Sequence, residues 1–234
     1  MPYRDRRDAG RVLATYLTAF ANRTDVLVFA LPRGGVPVAF EVAEALGAPL
    51  DVFLVRKLGV PGHEELAMGA IASGGVQVPN ENVLRQLEIP TAIMEAVATR
   101  EQQELVRRER AYRDGRPAPD VHDRVVLLVD DGLATGTTMR AAVVALRAHG
   151  PARLVAAVPV AARETCVDLA QEVDEMICAA TPDPFYAVGL WYENFAPTTD
   201  EEVHNLLANA ARVYHQPPDA SRISHDRPSP TSSD

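Results

Sequence analysis

The sequence predicts an α/β fold: a mostly parallel sheet flanked by helices, with a small hood over one end. Three observations carry this. Short apolar runs, VLVFAL at 26–31 and VVLLV at 125–129, lack the alternation of a half-solvated strand and suit strands buried on both faces. Each run gives way to a loop of small residues and then to helical periodicity. The rhythm continues near the end of the chain, where RLVAAVPVA, a short helical stretch and DEMICAA form another strand–helix–strand unit.

The elements follow in order. Leu13, Leu17 and Phe20 recur at helical spacing, predicting a first helix over about 5–22. After VLVFAL and the turn PRGG, VPVAFEVAEALG reads as a helix closed by Gly47. DVFLVRK reads as a second strand, and 68–72 with 76–78, split by SGG, as a small hairpin. Residues 91–113 are rich in helix formers and predict one long helix. VVLLVDD is the next core strand, with a helix over 137–149, and a further helix is expected over 164–171. Thr199-Asp200-Glu201-Glu202 fits a capping box opening a last helix to about Tyr214. We therefore expect one domain over 1–215, with its core at about 26–180 and its hood at about 182–198. The Pro/Ser-rich tail 216–234 is expected to be disordered.

Composition narrows the function classes. The net charge of −9 argues against non-specific nucleic-acid binding. No apolar run approaches the roughly 18 residues that span a bilayer. The start MPYRDRRDAGR is charged and lacks the apolar stretch of a secretory signal, so a cytoplasmic protein is expected. Cys166 and Cys178 sit among apolar residues and are expected to be reduced core thiols. Of the 23 basic residues only Lys57 is a lysine, a compact point charge in a chain that otherwise uses the planar arginine fork.

The chemistry concentrates in VVLLVDDGLATGTTM. Ligands of open parallel sheets bind beyond the carboxyl ends of the strands. The loop at 132–138 leaves such an end and enters a helix, whose free N–H groups and dipole favour an anion. Ala134, Thr135, Gly136, Thr137 and Thr138 thus form a candidate phosphate cradle; no Walker motif is present. Asp130 and Asp131 are harder to explain as packing. Two unit charges about 4 Å apart repel by roughly 4 kcal/mol at an effective dielectric of about 20, so a cation or hydroxyl donors should lie nearby. We expect the strand to end at about Asp130, turning both carboxylates into the crevice. A phosphate cradle beside two hydroxyl-accepting carboxylates describes a ribose 5-phosphate site.

These residues resemble the phosphoribosyl-diphosphate motif of the type I phosphoribosyltransferases, and the likeness extends over about 26–195. It implies that Asp130 and Asp131 hold the ribose hydroxyls, contacting Mg²⁺ only indirectly, and that 134–138 hold the 5-phosphate. It implies that Arg33, Gly34 and Gly35 of LPRGG bind the donor's pyrophosphate, in a loop that often carries a non-proline cis peptide. Arg56 and Lys57 would join them at the start of a mobile loop that begins at 59–62. The implied reaction transfers 5-phosphoribosyl from 5-phospho-α-D-ribose 1-diphosphate to a nucleobase-like acceptor, with Asp130, Asp131, Arg33 and Lys57 as its working residues. A homodimer is also implied. Phe185, Trp191 and Tyr192 are the candidate aromatic hood, either stacking on the base or packing as a hydrophobic lid on the core. DDGLATG and RKLGVPG are similar to stretches of adenine phosphoribosyltransferases, except that Gly132 stands where an apolar residue is usual. Ala134 stands where the 6-oxopurine enzymes place an Asp, so the acceptor stays unassigned. The alternative is a regulator that binds the same sugar diphosphate without turning it over.

Overall fold

The computed structural model describes residues 2–215; the tail expected to be disordered lies outside them. Five parallel strands form the main sheet: β1 (Val26–Ala30), β2 (Leu50–Val52), β6 (Val125–Val129), β7 (Arg153–Val160) and β8 (Glu175–Ala180), in the order β2-β1-β6-β7-β8. Three antiparallel strands, β3 (Val55–Val60), β4 (His63–Ala72) and β5 (Gln77–Pro79), make a separate layer. The parallel sheet and flanking helices bear out the expected fold class.

Burial follows from the apolar runs. Every residue of β1 and β6 is buried, and their alternate side chains feed two cores. Val28, Leu127 and Val155 pack in one core with residues of α1 (Arg6–Tyr16), α2 (Gly35–Leu46) and α7 (Asp200–His215). Leu27, Phe29 and Leu128 pack in the other with residues of α5 (Thr137–Arg147) and α6 (Arg163–Leu169). Full burial of a side chain such as Leu13 or Phe29 contributes about 1.5–3 kcal/mol.

Chain order dictates where a ligand can sit. From β1 the chain moves through α2 outward to β2, whereas from β6 it moves through α5 the other way to β7. The direction of winding reverses between β1 and β6, so the loops leaving these two strands diverge around a crevice, the topological switch point of the sheet. PRGG leaves β1 and DDGLATG leaves β6. The two motifs, about a hundred residues apart in sequence, are therefore neighbours by topology.

Several expectations need correcting. The first helix ends at Tyr16, capped at Asp5, and a separate 3-10 turn covers Thr18–Phe20. DVFLVRK is two strands rather than one: Phe53 and Leu54 bury into opposite cores, so the chain crosses the sheet edge there and restarts as β3. The segment expected to begin a mobile loop at 59–62 is the tight end of a β3–β4 hairpin, with Gly62 at φ +81 making the turn. Cys166 and Cys178 are joined in a disulfide rather than reduced. The reason is topological: α6 folds back along β8, bringing the two Cα atoms to 6.7 Å, within the range a disulfide bridges. A short helix α3 (Glu81–Gln86) precedes the long helix α4 (Thr91–Arg113), which has the bounds expected of it. Thr199 caps α7 as expected, its Oγ1 accepting the Glu202 N–H at 3.1 Å.

Candidate functional site

The strand β6 ends at Val129, and both aspartates fall in the turn that follows. Asp130 Oδ1 accepts the N–H of Asp131 at 2.8 Å. Asp131 Oδ2 accepts from Arg6 Nε at 2.7 Å. Each carboxylate thus has one oxygen tied to the protein; for the other, no protein partner exists among the described residues. Neither free oxygen is sealed away, since the enclosed side-chain oxygens without a hydrogen bond among those residues belong to Gln102 and Glu109. Burial raises the Asp130 pKa well above the usual carboxylate range, and the Asp131 charge adds to the rise. Burial also raises Asp131, but Arg6 opposes the shift.

PRGG lies directly against this acid turn. A Cβ on Gly34 would fall 2.1 Å from Asp131 Oδ2, and one on Gly35 would fall 2.8 Å from the Val129 carbonyl oxygen. Only glycines let the two loops approach this closely. The Pro32–Arg33 peptide is cis, as the resemblance led us to expect. Arg33 itself is half exposed, and its guanidinium stands 3.9 Å from Asp200 at the start of α7. Asp200 also accepts from the Tyr112 hydroxyl, whose pKa is pushed up to about 12, first by burial and then by that bond.

Beyond the acids the chain enters α5 through Gly136, whose φ of +71 suits a residue without a Cβ. The backbone N–H groups of residues 134–138 have no protein acceptor among the described residues. Five consecutive unengaged donors at a helix start thus stand where the sequence analysis places an anion cradle. The cradle is braced from behind: the Thr165 hydroxyl donates to the Ala134 carbonyl at 2.6 Å, and the Thr135 and Thr137 hydroxyls lie 3.2 Å apart.

The cations expected to join the site are placed differently. Lys57 lies on β3, nearly half exposed, where Nζ donates to the Glu65 carbonyl at 3.3 Å and stands 3.6 Å from its carboxylate. Arg56 pairs with Glu101 of α4 through Nε at 2.7 Å. Both line a cleft of about 410 Å³ between the antiparallel layer and α4. Neither contacts the acid pair; each is held by a carboxylate of its own neighbourhood.

The hood folds differently from a set of open aromatic faces. Tyr192 is 6% exposed, wedged between Tyr3 and Phe195, with its hydroxyl donating to the Asp131 carbonyl at 2.5 Å. Burial raises its pKa, and the nearby Asp131 charge raises it further. A ring so covered supports the acid turn and has no face left for a base. Trp191 and Phe185 are partly buried beside it, and Tyr186 is the exposed aromatic of the segment. The hood also accounts for Gly132: a Cβ there would lie 2.5 Å from Val188 Cγ1.

Sequence reasoning missed Arg6 altogether. Its guanidinium contacts Asp131, donates to the Ala196 carbonyl at 2.7 Å and lies 3.9 Å from the centre of the Phe195 ring. Nothing in the stretch DRRDAGR marks which of its arginines would turn inward.

Three comparisons with known proteins bear on this arrangement. A family model described as "Phosphoribosyl transferase domain" matches residues 61–187. The chain is 48% identical over 210 residues to "Putative phosphoribosyl transferase Rv0571c" of Mycobacterium tuberculosis H37Rv, covering 90% of this chain and 47% of that protein. It therefore spans about half the length of the curated relative. The crystal structure of TT1426 from Thermus thermophilus matches with a TM-score of 0.78 at 42% identity, covering 89% of this chain and 99% of that one.

Proposed function

Because the chain belongs to the phosphoribosyl transferase family, we propose that it transfers the 5-phosphoribosyl group of 5-phospho-α-D-ribose 1-diphosphate to a nucleobase-like acceptor and releases pyrophosphate. The observation that carries this reading is the pairing, at the switch point, of two acids that each keep one unengaged oxygen with five unengaged N–H donors. A sugar phosphate has hydroxyls for the former and a dianion for the latter. In this reading Asp130 and Asp131 accept from the ribose 2- and 3-hydroxyls, and residues 134–138 hold the 5-phosphate. Arg33, Gly34 and Gly35 meet the pyrophosphate, with Arg56 and Lys57 as its further cations.

The bond from the anomeric carbon to the pyrophosphate oxygen breaks as the acceptor nitrogen approaches that carbon. Positive charge spreads over the sugar while negative charge collects on the leaving group. The protein's part is electrostatic: donors fixed before the reaction stabilise charge that develops during it, each worth about 2.7–4 kcal/mol of barrier. Arg33 and Lys57 supply such charge once the pyrophosphate competes with Asp200 and Glu65 for them. Asp130 and Asp131 fix the sugar so that the carbon faces the acceptor.

Mg²⁺ fits this site. It binds through one or two carboxylates plus substrate phosphates and keeps much of its water. The described residues offer two acids with free oxygens and no cluster of three or more acidic, His or Cys ligands. Asp130 and Asp131 would hold it together with the sugar hydroxyls, and it would offset charge on the leaving pyrophosphate.

A panel of nucleobases, each with the sugar diphosphate and Mg²⁺, tests the reading by pyrophosphate release. Release with one base class supports transfer and names the acceptor. Tight donor binding without release for any base would point to a regulator that reads the same ligand, and absence of donor binding would reject the site.

A further inference from the structure

Arg6 stands where four separate stretches of chain meet. It belongs to α1 and is bonded to Asp131 of the β6 turn and to the Ala196 carbonyl of the hood. Its Nε lies 3.2 Å from the position a Cβ would take on Gly34 of the β1 loop. The fourth contact is the ring of Phe195, 3.9 Å below the guanidinium. Its side chain is only 11% exposed, so this is an enclosed contact rather than a surface pair.

We propose that Arg6 is a positioning residue of the proposed reaction, acting through Asp131. By taking Oδ2 it leaves Oδ1 as the oxygen available to a ribose hydroxyl and fixes the plane of the carboxylate. Through Ala196 and Phe195 it sets the hood against the same acid. A lysine carries the same charge, but its donors share one compact nitrogen and it has no planar fork to span two separated acceptors while lying flat on a ring. The planar fork is therefore required, whereas a cation alone would neutralise the acid without orienting it. Two more features make the placement specific. Tyr192 donates to the carbonyl of the same Asp131, so backbone and side chain of one residue are both tied to hood-side groups. Asp130 has no such cation among the described residues and is oriented by the Asp131 N–H instead.

The inference rests on the reading of the site given above, and the test separates the two. Equilibrium binding of 5-phospho-α-D-ribose 1-diphosphate with Mg²⁺ is measured for the wild type, Arg6→Ala, Arg6→Lys and Phe195→Leu, with thermal melts as the check on folding. A hydrogen bond to a charged group is worth enough that Arg6→Ala should weaken binding about tenfold or more. Dilute, non-denaturing guanidinium should restore much of the loss in Arg6→Ala and none in Arg6→Lys, which should also be weakened. Phe195→Leu keeps the charge but removes the ring beneath it, and should weaken binding by about twofold to threefold. If Arg6→Ala does not fold, Arg6→Lys and Phe195→Leu carry the comparison by themselves. Wild-type affinity in the folded Arg6 variants overturns the proposal while leaving the site intact. So does a loss that guanidinium does not recover. Failure of the wild type to bind the donor overturns both.

Discussion

The two ends of the proposed site are built on opposite principles. At the acid end the groups are largely buried, and one of them is fixed three times over. Asp131 is tied through its side chain, its N–H and its carbonyl, and glycines bring a second loop to within contact of it. At the cation end Lys57 and Arg56 lie on an antiparallel layer and are each engaged by a glutamate. One end is preorganised; the other must exchange partners to act. The charge arithmetic explains the difference. Buried like charges need an arrangement settled at folding, whereas Lys57, held by a surface pair worth about 0–1 kcal/mol, can be released to an incoming polyanion at little cost.

Substitutions at the two ends should therefore fail in different ways. The largest effect on turnover is expected from Lys57→Ala. It should lower kcat by about 100- to 1000-fold through the lost leaving-group charge, while thermal unfolding moves by no more than about 0.5 kcal/mol. A large loss of stability there would contradict the distinction. Gly34→Ala should cost about 100-fold in turnover by pushing Asp131 out of register, and here folding should suffer as well, read as a lower Tm. Asp131→Asn strands Arg6 as an enclosed charge and should destabilise by about 3 kcal/mol in denaturant titrations.

Asp130→Asn should behave in the opposite sense. A folded-state pKa above the unfolded value means that the stability tied to the protonated form is present at low pH and lost as pH rises through the folded pKa. Removing that charge should make the ligand-free protein slightly more stable at neutral pH, although donor binding falls. A lower Tm for Asp130→Asn at pH 7 would contradict the burial argument. Away from both ends, replacing Cys166 and Cys178 by serine opens a loop closed across a separation of 12 residues and should cost about 2–3 kcal/mol in denaturant titrations.

What the sequence made legible follows the same division. PRGG and DDGLATGTTM are continuous stretches, each joining a strand end to a helix start, so local rules sufficed to read them. The winding order then brought them together. Arg6 and Asp131 are separated by 125 residues, and no periodicity links them. Tyr192 was legible as an aromatic but not as a covered one, because burial depends on Tyr3 and Phe195 folding over it. The stretch 59–67 reads as a loop in the sequence because GVPG looks like a turn and the first residues of β4 are exposed, leaving no alternation to reveal a strand. DVFLVRK hid its break because the residues on either side of it are apolar, whichever core they enter.

The central claim is that the acid pair reads the hydroxyl edge of a ribose phosphate. It is tested most directly by comparing the affinities of ribose 5-phosphate and 2-deoxyribose 5-phosphate by calorimetry, in the wild type and in the Asp130→Asn, Asp131→Asn double variant. The wild type should prefer the ribose form by about tenfold or more, and the double variant should lose that preference. Equal affinity of the wild type for the two sugars would contradict the account.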